Sequence, residues 1–341
     1  MGDGAAVWEQ LVDGTLEDSA LTPELIQILE EMEAMGIAST DTTHPARVVG
    51  VDPPWLSSPL HEIVYSILGR VADDNGVEVV FIKGPVLKAQ GLRTREHSGD
   101  VDCWVEPGTD VRLARAMQPW GWQPAMSAFT STPVLHSLTL RAPTWGCAVD
   151  VHGWFPGMTI SAEEAFGEVF RSAELHTFAG YTVKTPGPPM HAVISALHDV
   201  RPFGSPTSRE SVVRAARVLE RGGEDTVRVA ATVGAQFALK DAFAEAFPAL
   251  TRDWKDAPVP IDWEWRSQRT MLRAYVAALR TLPPSQRIRT VYRILWPTAE
   301  SLQAGPISRD SGDLTVRQLR SKRMVRGFQE LLASLRRGRR P

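Results

Sequence analysis

Two aspartates that alternate with apolar residues constrain this chain more than any other feature. Residues 100–105 read Asp-Val-Asp-Cys-Trp-Val. Side chains of a strand alternate between its two faces, so Asp100 and Asp102 share one face and the apolar residues share the other. Two carboxylates held this close repel each other unless a cation lies between them or one takes up a proton. The sequence therefore predicts a cation site on one face of a buried strand.

A second strand of matching parity carries a third aspartate. Residues 135–141 alternate strictly, and residues 147–154 return after a turn, which predicts a β-hairpin. In the returning strand Asp150 and His152 fall on one face. Carboxylates on adjacent strands can hold two divalent ions about 3.5–4 Å apart, and oxygen ligands suit Mg²⁺. The predicted metal ligands and catalytic residues are Asp100, Asp102 and Asp150.

An apolar strand at 77–82 ends abruptly at a Lys-Gly-Pro turn upstream of the aspartate pair. Gly84 has no side chain, so its backbone allows close approach of a phosphate, and Lys83 supplies a point charge. Pro85 removes one backbone donor from the same turn. The turn is predicted to bind phosphate beside the aspartates.

The order of elements predicts an α+β fold. Helix, strand, short helix, strand, helix and hairpin describe a small mixed β-sheet with helices on one side. After Pro186 the apolar spacing is helical almost throughout. The Gly- and Pro-rich stretch 180–188 is predicted as a domain junction. The later predicted helices are 189–200, 208–221, 224–235, 237–247, 263–281, 285–303 and 314–336. The predicted units are an N-terminal helical segment and loop at 1–54, a sheet core at 55–186 and a helical domain at 187–341.

The charge of the chain is unevenly distributed. The formal net charge of -3 predicts no global affinity for nucleic acid or membrane. Residues Arg317–Arg340 nevertheless hold nine Arg or Lys residues and one acid, Glu330. This basic tail could bind tRNA or another polyanion, or it could be a docked helix with a solvated basic face. Both interpretations stay open.

The two cysteines, Cys103 and Cys147, exclude a disulfide framework and a Cys-rich zinc site. Both are predicted to be small buried residues. The first residues lack the basic and apolar regions of a signal peptide, and no apolar run is long enough to span a bilayer. A reducing cytoplasm is the expected location.

The motifs together resemble a known family, the uncharacterised bacterial nucleotidyltransferases of the DNA polymerase beta superfamily. Its members show an apolar strand ending in Lys-Gly, an Arg shortly before Gly-Asp-Ile-Asp, and a strand reading Val-Asp-Leu-His-Trp. The matching segments here are 81–84, Arg95, 99–102 and 149–154. Looser agreement continues to His191, His198 and Leu295–Thr298, so the resemblance covers roughly residues 60–300.

The resemblance implies transfer of a nucleoside monophosphate from a nucleoside triphosphate such as ATP to a hydroxyl of an unidentified acceptor. That acceptor could be a small molecule, a peptide or an RNA. The three aspartates would hold Mg²⁺ or Mn²⁺. His152 shares the face of Asp150, so it could orient that carboxylate, contact substrate or be a hydrogen-bonded structural histidine. The predicted nucleotide-binding residues are Lys83, Gly84 and Arg95. Lys83 could instead be a surface lysine at a strand end, and Arg95 could pair with Glu96 or another acid. The chain departs from the family pattern at Gly153, one extra residue before Trp154.

Two other functions compete with this one. A catalytically inactive relative could keep the fold and act as an antitoxin or scaffold. A metal-dependent glycosyltransferase also uses Asp-X-Asp, but it needs a longer nucleotide-binding α/β region upstream. Only one strand is predicted before Asp100 here.

Overall fold

A computed structural model gives the fold of the chain. It describes residues 14–34, 56–96, 99–142, 145–202, 207–251, 256–299 and 314–325, together with residues 7, 10, 11, 38, 39, 43, 254 and 302. Most of the predicted loop before residue 55 and the basic tail beyond residue 325 lie outside these ranges.

The described helices follow the apolar spacing of the sequence. They are α1 (Pro23–Ala34), α2 (Pro59–Asp74), α3 (Val86–Ala89), α4 (Asp110–Ala116), α5 (Ala162–Arg171), α6 (Pro188–Val200), α7 (Arg209–Gly222), α8 (Asp225–Thr232), α9 (Gln236–Ala246), α10 (Ile261–Arg266), α11 (Met271–Thr281) and α12 (Pro284–Leu295). Two 3₁₀ turns occupy Asp18–Ala20 and Gln118–Trp120. Residues 316–325 are also helical.

The described strands form a five-stranded sheet and a separate hairpin. The strands are β1 (Val79–Ile82), β2 (Asp100–Val105), β3 (Gln123–Pro124), β4 (Ser137–Arg141), β5 (Ala148–His152), β6 (Ala173–Phe178) and β7 (Tyr181–Pro186). The sheet has the order β1-β2-β5-β4-β3, and β6 pairs with β7. Strands β2 and β5 run parallel, whereas the other pairs in the sheet are antiparallel. The predicted α+β class with a small mixed sheet is confirmed.

Both faces of the sheet are covered, each by a different core. Val101, Cys103 and Val149 point to the face that packs on α2 and α4. On the other face Ile82 and Trp104 join a second core built from α5 to α9. The helical half therefore packs directly on the sheet, and β2 is buried on both sides. Cys147 belongs to the first core, so both thiols are buried as predicted.

The stretch predicted as a domain junction contains strand β7. It pairs with β6 and packs against β1 and α2. The sequence alternates from Tyr181 onward, but the prolines that follow made the stretch resemble a loop. In the structure these prolines end the strand and begin α6. The predicted boundaries of the three units remain a prediction.

The single helix predicted at 263–281 is wrong, because the structure has two helices there. Helix α10 ends at Arg266, and α11 begins after Thr270. The hydroxyl of Thr270 accepts a hydrogen bond from the backbone N–H of Arg273. Thr at this position caps a new helix and thereby competes with continuation of the preceding one.

No described helix is long and apolar enough to cross a membrane.

A buried histidine makes the stability of the fold depend on pH. His191 of α6 is fully buried, and its Nδ1 lies 2.7 Å from Gln90 Oε1. Burial, reinforced by the charge of Arg93, lowers the pKa of His191 to about 3. Below its unfolded pKa of about 6.5 the unfolded chain binds a proton that the folded chain does not, so the free energy of unfolding falls as pH falls.

We expect His191 to contribute about 1 kcal/mol to the loss of stability between pH 7 and pH 5.5. Urea unfolding of the wild type and of His191→Gln at both pH values measures this contribution. The variant should lose less stability over the interval, whatever its stability at pH 7. His176→Gln is the control, because this histidine is only partly buried and its replacement should change the interval less. Equal pH dependence in wild type and His191→Gln would contradict the prediction.

Candidate functional site

The parallel pairing of β2 with β5 sets two aspartates side by side. Asp102 is in register with Asp150, and Trp104 is in register with His152. Because partners in neighbouring strands point to the same face, these polar side chains converge. Ligand atoms of Asp102, Asp150 and His152 all lie within 4.8 Å of one another. Asp102 and His152 are buried, and Asp150 is half-buried.

Two nitrogen donors contact the same carboxylate oxygen of Asp102. Its Oδ1 lies 2.5 Å from Lys83 Nζ and 2.9 Å from His152 Nε2. Burial alone would raise the pKa of Asp102, but the hydrogen bond from His152 and the charge of Lys83 outweigh it and hold that pKa well below its usual range. Asp102 is therefore an anion throughout the neutral range. Neither contact uses its second oxygen, Oδ2.

Asp150 and His152 each make one side-chain hydrogen bond. Thr139 of the adjacent strand donates its hydroxyl to Asp150 Oδ1 at 2.6 Å, which orients this carboxylate. Burial lowers the pKa of His152 in spite of the neighbouring Asp102, so its imidazole is neutral at pH 7. With Nε2 donating to Asp102, Nδ1 carries the lone pair. This buried Nδ1 has no hydrogen-bond partner among the described residues.

Aromatic rings form the floor beneath these polar groups. Trp104 and Phe155 lie 5.6 Å apart between ring centroids, and Phe155 stacks on His152 at 5.6 Å. Trp104 and Phe155 are both buried in the core that the sheet shares with the helical half. We call this pair the aromatic floor. It fixes the plane of the His152 ring.

The turn after β1 aims Lys83 at the carboxylates. Lys83 and Gly84 both have φ of 59°, in the left-handed region that favours glycine. A Cβ at residue 84 would collide with the hydroxyl of Tyr65. Arg93 Nη2 donates to the Gly84 carbonyl at 2.5 Å and to the Glu96 carbonyl at 2.9 Å. Tyr65 and Arg93 thus hold the turn from behind, so Gly84 is required there whatever ligand approaches.

Two predicted site residues lie beside the converging group. Asp100 is on the same face as Asp102, in register with Ala148, but it is not a member of the group of mutually close ligand atoms. Arg95 is exposed on the loop before β2, and its carbonyl accepts a hydrogen bond from Arg93 Nε at 3.0 Å. The roles predicted for Asp100 and Arg95 remain predictions.

Three residues that the sequence analysis did not select form a basic cluster next to His152. Arg201 Nη1 lies 2.7 Å from His136 Nε2, and Arg266 Nη2 lies 3.4 Å from His136 Nδ1. The rings of His136 and His152 are 5.5 Å apart between centroids. We call Arg201, His136 and Arg266 the basic cluster. These residues are far apart in the chain and share no motif, so only the tertiary fold reveals them.

The donor set of the converging group fits a divalent cation. Asp102 Oδ2 and the second oxygen of Asp150 are not used by the hydrogen bonds described above. Carboxylate oxygens suit Mg²⁺ and Mn²⁺. The His152 nitrogen that faces the carboxylates, Nε2, is already hydrogen-bonded to Asp102. Lys83 neutralises only one of the two carboxylates. A divalent cation would compensate the remaining negative charge.

Comparisons with known proteins do not place the chain in a family. No protein-family model and no curated protein matches it. Among solved structures it is similar to one described as an antigenic nucleotidyltransferase-like protein from Paracoccidioides brasiliensis. The TM-score is 0.35 with 16% sequence identity, over 60% of this chain and 96% of that chain. At this level the likeness carries no argument about the site.

The turn geometry predicts that Gly84→Ala destabilises the fold by about 1–3 kcal/mol, because Ala pays both for the left-handed φ and for the collision with Tyr65. Urea unfolding measures the loss. Tyr65→Phe removes the hydroxyl oxygen, so Gly84→Ala should cost less in the Tyr65→Phe background than in the wild type. Gly91→Ala is the matched control, since Gly91 also has positive φ but open space at its Cβ. Equal losses for the Gly84 and Gly91 variants would count against the described packing.

Proposed function

We propose that the chain is a metal-dependent nucleotidyltransferase that moves a nucleoside monophosphate from a nucleoside triphosphate to a hydroxyl of an acceptor. The observation that carries the proposal is the convergence of Asp102 and Asp150, in register on parallel strands, with Lys83 at 2.5 Å from Asp102. Paired carboxylates next to a lysine on a glycine turn are the groups that phosphoryl chemistry requires.

In the proposed reaction an acceptor oxygen attacks the α-phosphorus of the triphosphate. A new oxygen–phosphorus bond forms, the bond to the bridging oxygen breaks, and pyrophosphate leaves with the bonding electrons. Asp150 takes the acceptor's proton, because it is the more accessible carboxylate and Asp102 is too weak a base. When bound at Asp102 and Asp150, a divalent cation would neutralise charge on the phosphate oxygens.

Lys83 is proposed to contact the phosphates of the nucleotide. Its ammonium has three N–H donors, and one of them goes to Asp102. The side chain is 12% exposed, so it reaches the surface of the site while its charge is mostly shielded from water. A cation in this setting attracts phosphate more strongly than a fully solvated lysine. The left-handed turn keeps Lys83 in this place without help from a ligand.

The remaining predicted residues complete the proposal. Asp100 is proposed as a further metal ligand from the same face of β2, and Arg95 as a phosphate contact from the exposed loop. His152 orients Asp102 through the 2.9 Å contact of Nε2. The helical half from residue 187 is proposed to shape the acceptor pocket. RNA binding through Arg317–Arg340 stays a separate expectation, and most of that tail lies beyond the described residues.

A second candidate function is a non-catalytic scaffold or antitoxin that keeps the fold. The observation that favours it is the internal compensation of Asp102, which already has Lys83 and His152 as partners. Such a network can be stable without any ligand. Measuring turnover distinguishes it from the enzyme.

The experiment is a transfer screen with four labelled nucleoside triphosphates, Mg²⁺ or Mn²⁺, and metabolites and RNA from cells that express the protein. We expect one nucleotide to label an acceptor. Asp150→Asn should reduce the rate about 100-fold or more, since it removes the proposed base and a metal ligand together. Mass measurement of the product identifies the group transferred.

Two further measurements separate loss of chemistry from loss of fold. Asp74→Asn changes an exposed aspartate paired with Arg70, so it should leave the rate unchanged. Mn²⁺ binding to the wild type should exceed that to Asp150→Asn, with both proteins folded by circular dichroism. Absence of labelling with every nucleotide, together with equal Mn²⁺ binding by both proteins, would rule out the enzyme and favour the scaffold.

A further inference from the structure

The basic cluster has more hydrogen-bond donors than acceptors. A neutral imidazole has one acceptor nitrogen and one N–H, and a guanidinium has donors only. Yet both ring nitrogens of His136 face a guanidinium, Arg201 at 2.7 Å and Arg266 at 3.4 Å. Burial, with the charges around it, keeps the pKa of His136 well below its usual range, so the ring is neutral. In one of the two contacts the ring N–H of His136 therefore faces an N–H of a guanidinium, and no acceptor lies between them.

The two arginines differ in how their charge is compensated. Arg266 Nε lies 2.7 Å from Asp262 Oδ2, and both side chains are buried. Arg201 is half-buried at the end of α6 and makes no ion pair with any carboxylate in the part of the chain that the structure describes. Burial lowers the pKa of Arg201, and the charges of Asp102, Asp150 and Asp262 oppose this shift. A guanidinium that is partly removed from water without a paired anion loses hydration that no ion pair replaces.

The basic cluster lies on the opposite side of the carboxylates from Lys83. His136 directly precedes β4, and Ser137 is in register with His152. Lys83 follows β1, which flanks β2 on its other edge. The paired aspartates thus lie between two cationic regions, one with a single lysine and one with two arginines. The rings of His136 and His152 are 5.5 Å apart between centroids, so the basic cluster borders the converging group.

We infer that the basic cluster binds an oxyanion, a phosphate or carboxylate group of a substrate that reacts at Asp102 and Asp150. The reaction at the aspartates rests on the proposed function, whereas binding of the anion does not. An oxyanion supplies the missing acceptors and pairs the guanidinium of Arg201, and planar guanidinium groups match its geometry. The anion belongs either to the phosphates of the nucleotide or to an acidic group of the acceptor.

The test is calorimetric titration of the whole chain with inorganic phosphate and pyrophosphate, in EDTA, without nucleotide and at constant ionic strength. We expect binding to the wild type and a loss of about tenfold or more in Arg201→Gln. Arg201→Lys should fall in between, because an ammonium lacks the planar fork. Arg217→Gln, which removes an exposed charge from α7, should bind like the wild type.

The result that overturns the inference is an equal Kd for phosphate and pyrophosphate in the wild type and in Arg201→Gln. An equal loss in Arg217→Gln would overturn it too, because the effect would then be general screening of charge. If Arg201→Gln does not fold, Arg201→Lys and His136→Gln decide. An unchanged Kd in both then overturns the inference, and a severalfold loss in either supports it.

A second arm identifies the source of the anion. The titration is repeated with Mg²⁺ and a saturating non-hydrolysable triphosphate. Competition with phosphate, together with weaker analogue binding by Arg201→Gln, assigns the cluster to the nucleotide. Unchanged phosphate binding assigns it to the acceptor. Either outcome requires the basic cluster to bind an oxyanion.

The two proposals can fail separately. Asp150→Asn, which should abolish transfer, is expected to retain phosphate binding in EDTA. Phosphate binding without any transfer would remove the proposed function and leave the oxyanion site. Nucleotide transfer by the wild type, with a phosphate Kd that does not change in Arg201→Gln, would remove the oxyanion site and leave the proposed function.

Discussion

The side-by-side placement of two carboxylates is the constraint on which the rest of the site depends. The parallel register of β2 and β5 sets a buried Asp102 beside a half-buried Asp150, and the repulsion between their charges must be offset. Three neighbouring side chains each offset part of this repulsion. Lys83 contributes a charge from the turn, His152 a hydrogen bond, and Thr139 a hydroxyl. Lys83 also has a left-handed backbone conformation, which is strained for a residue with a side chain and which keeps its ammonium beside Asp102.

The sequence was informative wherever strand parity decided the outcome. Alternation placed Asp102, Asp150 and His152 on one face, and the register of the sheet brings them together. Helix bounds in the first half follow from apolar spacing and from proline in the first turn, as at Pro59–Asp74. Parity fixes only the face, however. It cannot state that Asp100 lies outside the closest group or that His152 bonds directly to Asp102, because both depend on side-chain geometry.

The features that escaped prediction depend on contacts between distant segments. Tyr65 and Arg93 hold the turn at Gly84, and the reason for that glycine lies in the collision with a residue of α2. The basic cluster joins the start of β4, the end of α6 and α10, and no local pattern links these segments. Strand β7 was missed because its alternation runs straight into prolines.

The aromatic floor of Trp104 and Phe155 has a consequence for every charge above it. Buried rings keep water away from the lower side of the site, so the local dielectric is closer to that of protein than to that of solvent. Attraction between unlike charges is then several-fold stronger than at an open surface. The field felt by a bound anion is accordingly set by apolar side chains as much as by charged ones. Letting water reach this floor would weaken Lys83, Arg201 and any bound cation together, without altering a single ligand.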